Sequence, residues 1–419
     1  MARPMRVLLL NERCHENPLG GGAETHLFEI FGRLAERGVE TTLLCCGFGE
    51  AAGEATHRGV AIRRLGKRLS YYGKVPGEVR RCVAAGEVDL VVEALNKVPF
   101  LSPLYAKVPV LAIHHHLHGR TAFRQVNPAL ALGAISLELL LPLVYRQVQM
   151  LTISHSSKGE LVWRGLPEEH IDVVPCGIDH EIHRPAPLEG REPIVLSVGR
   201  LEPYKRLDLL VRAFALAHAA RPDARLVILG RGQEEQRLRD LAAQLRLEGA
   251  VTFGGYVSEA EKVAWMQRAA LFVQCSRKEG WGLTVVEAQA CGAPVIATDV
   301  PGLRDSVHDG CGGWLVHRAK PKTLARALLR LLDDEPKRVQ FARYALGCVQ
   351  RFDWDDAATD VATAIARLIP QAKAADSTTL TGVPVPQGSP RRDRTMCPPE
   401  TGSAVSARAE QPEGKPATR

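Results

Sequence analysis

The sequence predicts an α/β protein built from two doubly wound domains that face each other across a cleft. Three observations carry this reading. Short, continuous apolar runs alternate with amphipathic stretches twice along the chain. A proline-bearing passage from Pro185 to Pro193 separates the two series. Each series opens with a strand, and a glycine-bearing turn follows before the next helix. Continuous apolar strands between amphipathic helices mean a parallel sheet covered on both faces. Such sheets bind ligands beyond the carboxyl ends of their strands, so two of them set face to face enclose a site.

Taken in order, Val7 to Leu10 is the first strand. Leu27, Phe28, Ile30, Phe31 and Leu34 then recur with the helical period, and Gly38 ends that helix. Further strands fall at Thr41 to Cys45, Asp89 to Val92, Val108 to Ile113, Leu151 to Ile153 and Ile171 to Val174. After the linker the pattern restarts with Ile194 to Val198 and a helix from Leu207. It continues with Leu226 to Leu229, a helix through Leu238 and Leu245, and strands at Val251 to Phe253, Leu271 to Gln274, Pro294 to Ala297 and Trp314 to Val316. A helical pattern from Trp354 to Leu368 closes the fold. The expected units are a first domain at 1–185, a second at 186–352, a closing helix at 353–370 and a tail at 371–419. From Gln371 onward there are seven prolines and no aromatic residue, too little apolar surface to offset ordering entropy, so the tail is expected to be disordered.

Composition narrows the partners. The formal net charge is +7, and the segment from Gln371 holds 7 Lys/Arg against 5 Asp/Glu, which leaves +5 for the rest. That is too modest for a nucleic-acid binder; it suits anionic small ligands or weak attraction to an acidic membrane face. The ten cysteines include no C-x-x-C, so neither a zinc site nor a disulfide framework is indicated, and reduced thiols in a cytoplasmic protein are expected. The chain enters its first strand without a leader-like segment, which argues against secretion. Pro128 to Tyr145 is almost wholly apolar but contains Glu138 and Pro142. A central carboxylate costs about 2.5–3.5 kcal/mol on membrane-insertion scales, so this stretch reads as a buried or interfacial helix.

The chemistry concentrates in three loops. Arg277-Lys278-Glu279-Gly280-Trp281-Gly282-Leu283-Thr284-Val285-Val286-Glu287 runs from a strand end into a helix, with two carboxylates eight residues apart. A helix start offers free N–H groups to an anion, and Gly280 and Gly282 let backbone approach it closely. Arg200 and Lys205 lie in the strand-to-helix loop of the second domain, where both can reach a diphosphate, one through a planar fork and the other as a point charge. Gly20-Gly21-Gly22-Ala23-Glu24 opens the first helix; neither glycine turn is the G-x-G-x-x-G of a dinucleotide site. His114-His115-His116-Leu117-His118 follows a strand, but adjacent side chains alternate faces there and do not converge on a metal, so no metal site is assigned.

Together, in this order, these motifs and Val174-Pro175-Cys176-Gly177-Ile178-Asp179 resemble those of the retaining, GT-B-fold nucleotide-sugar glycosyltransferases of family 4 (glycosyl transferases group 1), over about residues 5 to 369. The resemblance implies a donor that is a UDP-sugar or GDP-sugar, no cofactor, and an acceptor that is a saccharide or lipid-linked saccharide. It implies work at the cytoplasmic face, with peripheral membrane attachment, in surface polysaccharide or glycolipid synthesis. Arg200 and Lys205 would hold the donor diphosphate, and Glu279 would accept hydrogen bonds from the sugar. Gly280, Trp281, Gly282 and Leu283 would offer backbone N–H groups, and Glu287 would bind the ribose. Gly21 and Gly22 would approach the diphosphate from the first domain, while Arg231 and Tyr256, in the turns after two strands, would line the nucleobase pocket. A histidine beside the sugar falls on His115, with His114 or His116 as alternatives. Family members commonly have Phe where this chain has Trp281, so the wider indole is expected to alter the sugar pocket. The same resemblance leaves open a nucleotide-sugar 2-epimerase of this fold, or a catalytically silent nucleotide-sugar-binding subunit.

Overall fold

The computed structural model describes residues 3–96, 98–115 and 128–369. The first sheet contains β1 (Arg6–Leu10), β2 (Glu40–Gly47), β3 (Glu54–His57), β4 (Val60–Lys67), β5 (Leu90–Leu95), β6 (Val110–His114), β7 (Gln149–Thr152) and β8 (Ile171–Val173). Their spatial order is β3-β4-β2-β1-β5-β6-β7-β8. The second contains β9 (Glu192–Val198), β10 (Arg225–Leu229), β11 (Val251–Gly255), β12 (Ala269–Gln274), β13 (Val295–Thr298) and β14 (Gly313–Val316), in the order β11-β10-β9-β12-β13-β14. Every pairing is parallel except β3 with β4. In the second sheet the order reverses between β9 and β12, which opens a crevice beyond their carboxyl ends.

The β3–β4 hairpin is an element that the sequence pattern does not announce. Its turn is Arg58-Gly59, both at positive φ (46° and 75°), and an arginine in the first position conceals the usual Asn-Gly or Asp-Gly signal. The strands that the pattern does predict form close to their expected bounds.

The helix Gly22–Glu36 buries Leu27, Phe28, Ile30, Phe31 and Leu34, the set its period selects. The last helix, Trp354–Leu368, packs on it: Trp354, Ala357, Ala358, Val361 and Ile365 share one core with Leu27 and Ile30. The chain therefore crosses to the second sheet and returns, and the closing helix belongs to the first domain's core. The two crossings lie side by side. Ile178 bridges to Asp353, and a Cβ on Gly177 would collide with the backbone of Asp353 and Trp354.

The apolar stretch folds as two short helices, Pro128–Leu139 and Leu141–Val144. Among the described residues no helix is long and apolar enough to cross a membrane. Cys14, Cys45, Cys82, Cys176, Cys275 and Cys291 are buried thiols. The expected disordered tail and His116 and His118 lie outside the described residues.

Candidate active site

The crevice between β9 and β12 brings two of the predicted loops together. After β9 the chain turns at Gly199 (φ 150°) and makes one 3-10 turn, Pro203–Lys205. After β12 it runs through Arg277 to Gly282, whose left-handed backbone (φ 95°) starts the helix Leu283–Ala290. The loops are tied to each other, since Arg277 N donates to Tyr204 O at 2.8 Å. Lys205 Nζ then lies 2.6 Å from Glu279 Oε1. The same oxygen accepts from Gln274 Nε2 at 2.9 Å and from Ser276 Oγ at 2.5 Å.

The pair is largely out of solvent, with side chains 15% and 13% exposed. Burial alone would raise the Glu279 carboxyl, but the Lys205 charge and the three hydrogen bonds hold it below the ordinary glutamate value. Burial alone would lower the Lys205 ammonium, and Glu279 reverses that shift. Both groups are therefore charged at neutral pH. Sequence reading missed Gln274 and Ser276, although a polar residue at the carboxyl end of an all-apolar strand is the signal that could have found them.

The first domain closes over this crevice. Glu24, 5% exposed, accepts from Gly21 N at 2.7 Å and from Asn11 Nδ2 at 3.1 Å, which fixes the Gly20–Gly22 turn at the start of its helix. A Cβ on Gly21 would lie 3.7 Å from Arg200 Nε, and one on Gly22 3.2 Å from Leu283 Cδ1. Arg200 donates to Leu19 O at 3.5 Å and to Tyr204 Oη at 3.1 Å, so its fork already spans the two domains. A Cβ on Gly280 would run into the His115 carbonyl. Lys278 Nζ meets both Glu160 oxygens at 3.0 Å, and Asp305 accepts from Ser156 N at 3.3 Å. A recess lined by Ser197, Gly199, Arg200, Lys205, Leu229 and Gln274 forms the floor.

Other predicted residues sit differently. The His115 ring is 3% exposed, with Nε2 3.1 Å from Nδ1 of His26. Burial pushes its pKa down to about 4, so it is neutral. His115 thus meets the loop after β12 through its carbonyl against Gly280 and turns its ring towards His26, a partner that nothing in the sequence marks. His114 is also buried, 3.3 Å from Thr152 Oγ1.

Trp281 corrects an expectation. Its indole is 5% exposed and packs edge-on against Phe352 (4.9 Å, 88°) inside the core shared with the closing helix. Gly282 after it, at φ 95°, turns the backbone into the next helix, and the tryptophan side chain points inward. The extra width of the indole is taken up by this core.

Glu287 Oε2 receives Lys262 Nζ at 2.6 Å, and that ammonium also lies 2.7 Å from Glu259, which accepts from His183 Nε2 at 3.0 Å. His183, Glu259 and Glu287 are the grouping of metal-ligand type found among the described residues, but the Lys262 cation already supplies its positive charge. Gly230 N donates to Gly255 O at 2.6 Å, which stacks the turns after β10 and β11 beside the recess. Arg231 and Tyr256 stand exposed on their rim, Tyr256 at 76%.

Comparison with known proteins identifies the family. The family model for Glycosyltransferase Family 4 matches residues 20–182, and that for Glycosyl transferases group 1 matches residues 179–346. A D-inositol 3-phosphate glycosyltransferase of Pseudarthrobacter chlorophenolicus is 35% identical over 406 residues, covering 84% of this chain and 93% of that protein. The chain belongs to the family 4, group 1 glycosyltransferases. Some relatives match over a shorter span. The enzyme of the same name from Acidothermus cellulolyticus is 37% identical over 212 residues, 46% of this chain and 47% of that protein, so the chain spans about half the length of such relatives. Among solved structures, sucrose-phosphate synthase from Thermosynechococcus elongatus superposes with a TM-score of 0.72 at 22% identity, covering 87% of this chain and 99% of that one. Anabaena HepE, in complex with UDP-glucose, gives 0.69 at 20% identity, covering 87% and 100%. The fold is GT-B, two parallel α/β domains facing a cleft.

Proposed function

We propose that this glycosyltransferase moves a hexose from a UDP-sugar or GDP-sugar to an acceptor hydroxyl with retention of anomeric configuration, without a divalent cation. The observation that carries the reading is the buried Lys205–Glu279 pair at the switch point of the second sheet, beside Arg200 and facing Gly21. Each group is the other's ionic partner. An arriving donor offers Lys205 a phosphate and offers Glu279 sugar hydroxyls, so the two charges exchange partners without either being stranded. As the bond from the anomeric carbon to phosphate oxygen lengthens, negative charge gathers on the diphosphate. The Arg200 fork, the Lys205 point charge and the start of the helix Leu283–Ala290 stabilise it. The departing phosphate oxygen takes the acceptor's proton while the acceptor oxygen bonds the anomeric carbon on the same face.

Surface polysaccharide or glycolipid synthesis at the cytoplasmic face is the process proposed. The names of the relatives make an inositol phosphate the first acceptor to screen, and the HepE complex makes UDP-glucose the first donor. The purified protein is incubated with UDP-glucose or GDP-mannose and a panel of acceptors, and the anomeric proton of the product is read by NMR. Slow donor hydrolysis without acceptor and a product of the donor's own anomeric configuration are expected. An inverted product, or C2 epimerisation of the sugar in place of transfer, overturns the reading.

A further inference from the structure

We propose that an apolar helical edge in the first domain, Leu132 to Leu143 with Trp163, docks the protein on an anionic lipid bilayer. In the helices Pro128–Leu139 and Leu141–Val144 the exposed residues include Leu132, Ser136, Leu139, Leu140 and Leu143. Spacings of three and four residues line them along one side. Leu132 is 60% exposed, Leu139 68% and Leu143 79%. Glu138 is the only charged residue between Pro128 and Tyr145, and it points the other way: it is 1% exposed, with Oε2 3.5 Å from Arg164 Nη2. The acid that would oppose contact with lipid is neutralised inside the protein, and the outer edge presents alkyl groups and one hydroxyl.

The neighbouring helix adds to the same edge. Trp163, at the end of His155–Trp163, is 82% exposed. Arg164 next to it holds Glu138, and a Cβ on Gly165 would lie 3.7 Å from Pro142, so the end of this helix lies against the segment that carries the leucines. Trp is suited to the headgroup level, where its ring is half in hydrocarbon and its N–H stays wet. Scattered exposed apolar residues need no explanation, but four leucines and a tryptophan gathered at one edge do.

The bilayer is favoured over a protein partner by size and by charge. Five side chains fall far short of the roughly 20–30 residues a side in a stable protein interface. A lipid surface needs only a few inserted apolar groups with basic attraction behind them. The exposed helical edge carries no acid, exposed Arg146 follows it directly, and the chain is basic at +7.

The test sediments the full-length protein with vesicles of phosphatidylcholine, alone or mixed with phosphatidylglycerol. Wild type is expected to pellet with the mixed vesicles, less with the neutral ones, and less again in high salt. Leu139→Glu with Leu143→Glu is expected to weaken vesicle binding by at least about tenfold, and Trp163→Ala by about threefold, with melting temperature and circular dichroism unchanged. If the double variant misfolds, Trp163→Ala decides, because its side chain is almost wholly outside the core. Wild type remaining in the supernatant with both vesicles, or both variants binding like wild type, overturns the proposal. So does a dimer seen by light scattering that Trp163→Ala splits, which would make a second copy the occupant.

Discussion

Replacing Lys205 with methionine keeps the length of the side chain and removes only its charge. Two consequences can be separated. The first is structural: Glu279, 13% exposed, loses a 2.6 Å ionic partner and keeps Gln274 and Ser276. Breaking a buried pair from one side costs about 3–5 kcal/mol, and the two surviving donors set the expectation at about 3 kcal/mol. The second is catalytic: preorganised charge at a leaving group is worth about 2.7–4 kcal/mol, a loss of about 100- to 1,000-fold in turnover. Glu279→Gln in the same chain removes the stranded charge, so the double variant is expected to recover most of the stability and none of the turnover. Urea denaturation and release of nucleoside diphosphate from UDP-glucose read the two quantities independently. Turnover returning with stability in the double variant would refute the leaving-group role and reduce the pair to a structural one. The pH dependence has a definite sign. Glu279 is held below its ordinary 4.5, so its share of stability is complete above that value and is lost as pH falls through the folded value. Lys205 is held above 10.5, so its share is complete below that value and is lost as pH rises through the folded one.

Glu287→Ala is expected to raise the donor KM about tenfold with kcat within about twofold, because ribose contacts are alike in ground and transition states; a pure kcat defect would contradict that role. Turnover is expected to survive EDTA, and an activity lost on chelation and restored by Mg²⁺ would refute charge stabilisation by Arg200 and Lys205 alone. Trp281→Phe is expected to leave the product and kcat nearly unchanged, since the indole packs on Phe352 inside the core, while Trp281→Ala costs about 3–5 kcal/mol of stability in denaturation. A changed donor preference in Trp281→Phe would return the side chain to the sugar pocket.

What the sequence makes legible is what local pattern controls. Continuous apolar runs mark buried parallel strands, and the turns at Gly199 and Gly282 mark where the backbone must adopt conformations that other residues avoid. Periodicity and glycine placement alone therefore put the loops carrying Lys205 and Glu279 at strand ends. That the two side chains meet is not legible. They are 74 residues apart, and their contact depends on β12 lying beside β9, a choice of strand order that periodicity does not encode. The same reason hides Lys262 with Glu287 and His115 with His26, each joining elements whose adjacency is set by the whole sheet. Trp281 shows a second kind of limit. Its position in a glycine-rich loop is a statement about backbone, and the direction of its indole follows from the closing helix, which returns from the second domain and leaves Phe352 facing it. A residue in the loop between β12 and the helix Leu283–Ala290 thus serves the core that joins the two domains. The loop's backbone is held close to the His115 carbonyl by Gly280 and to the interdomain core by the tryptophan that follows it.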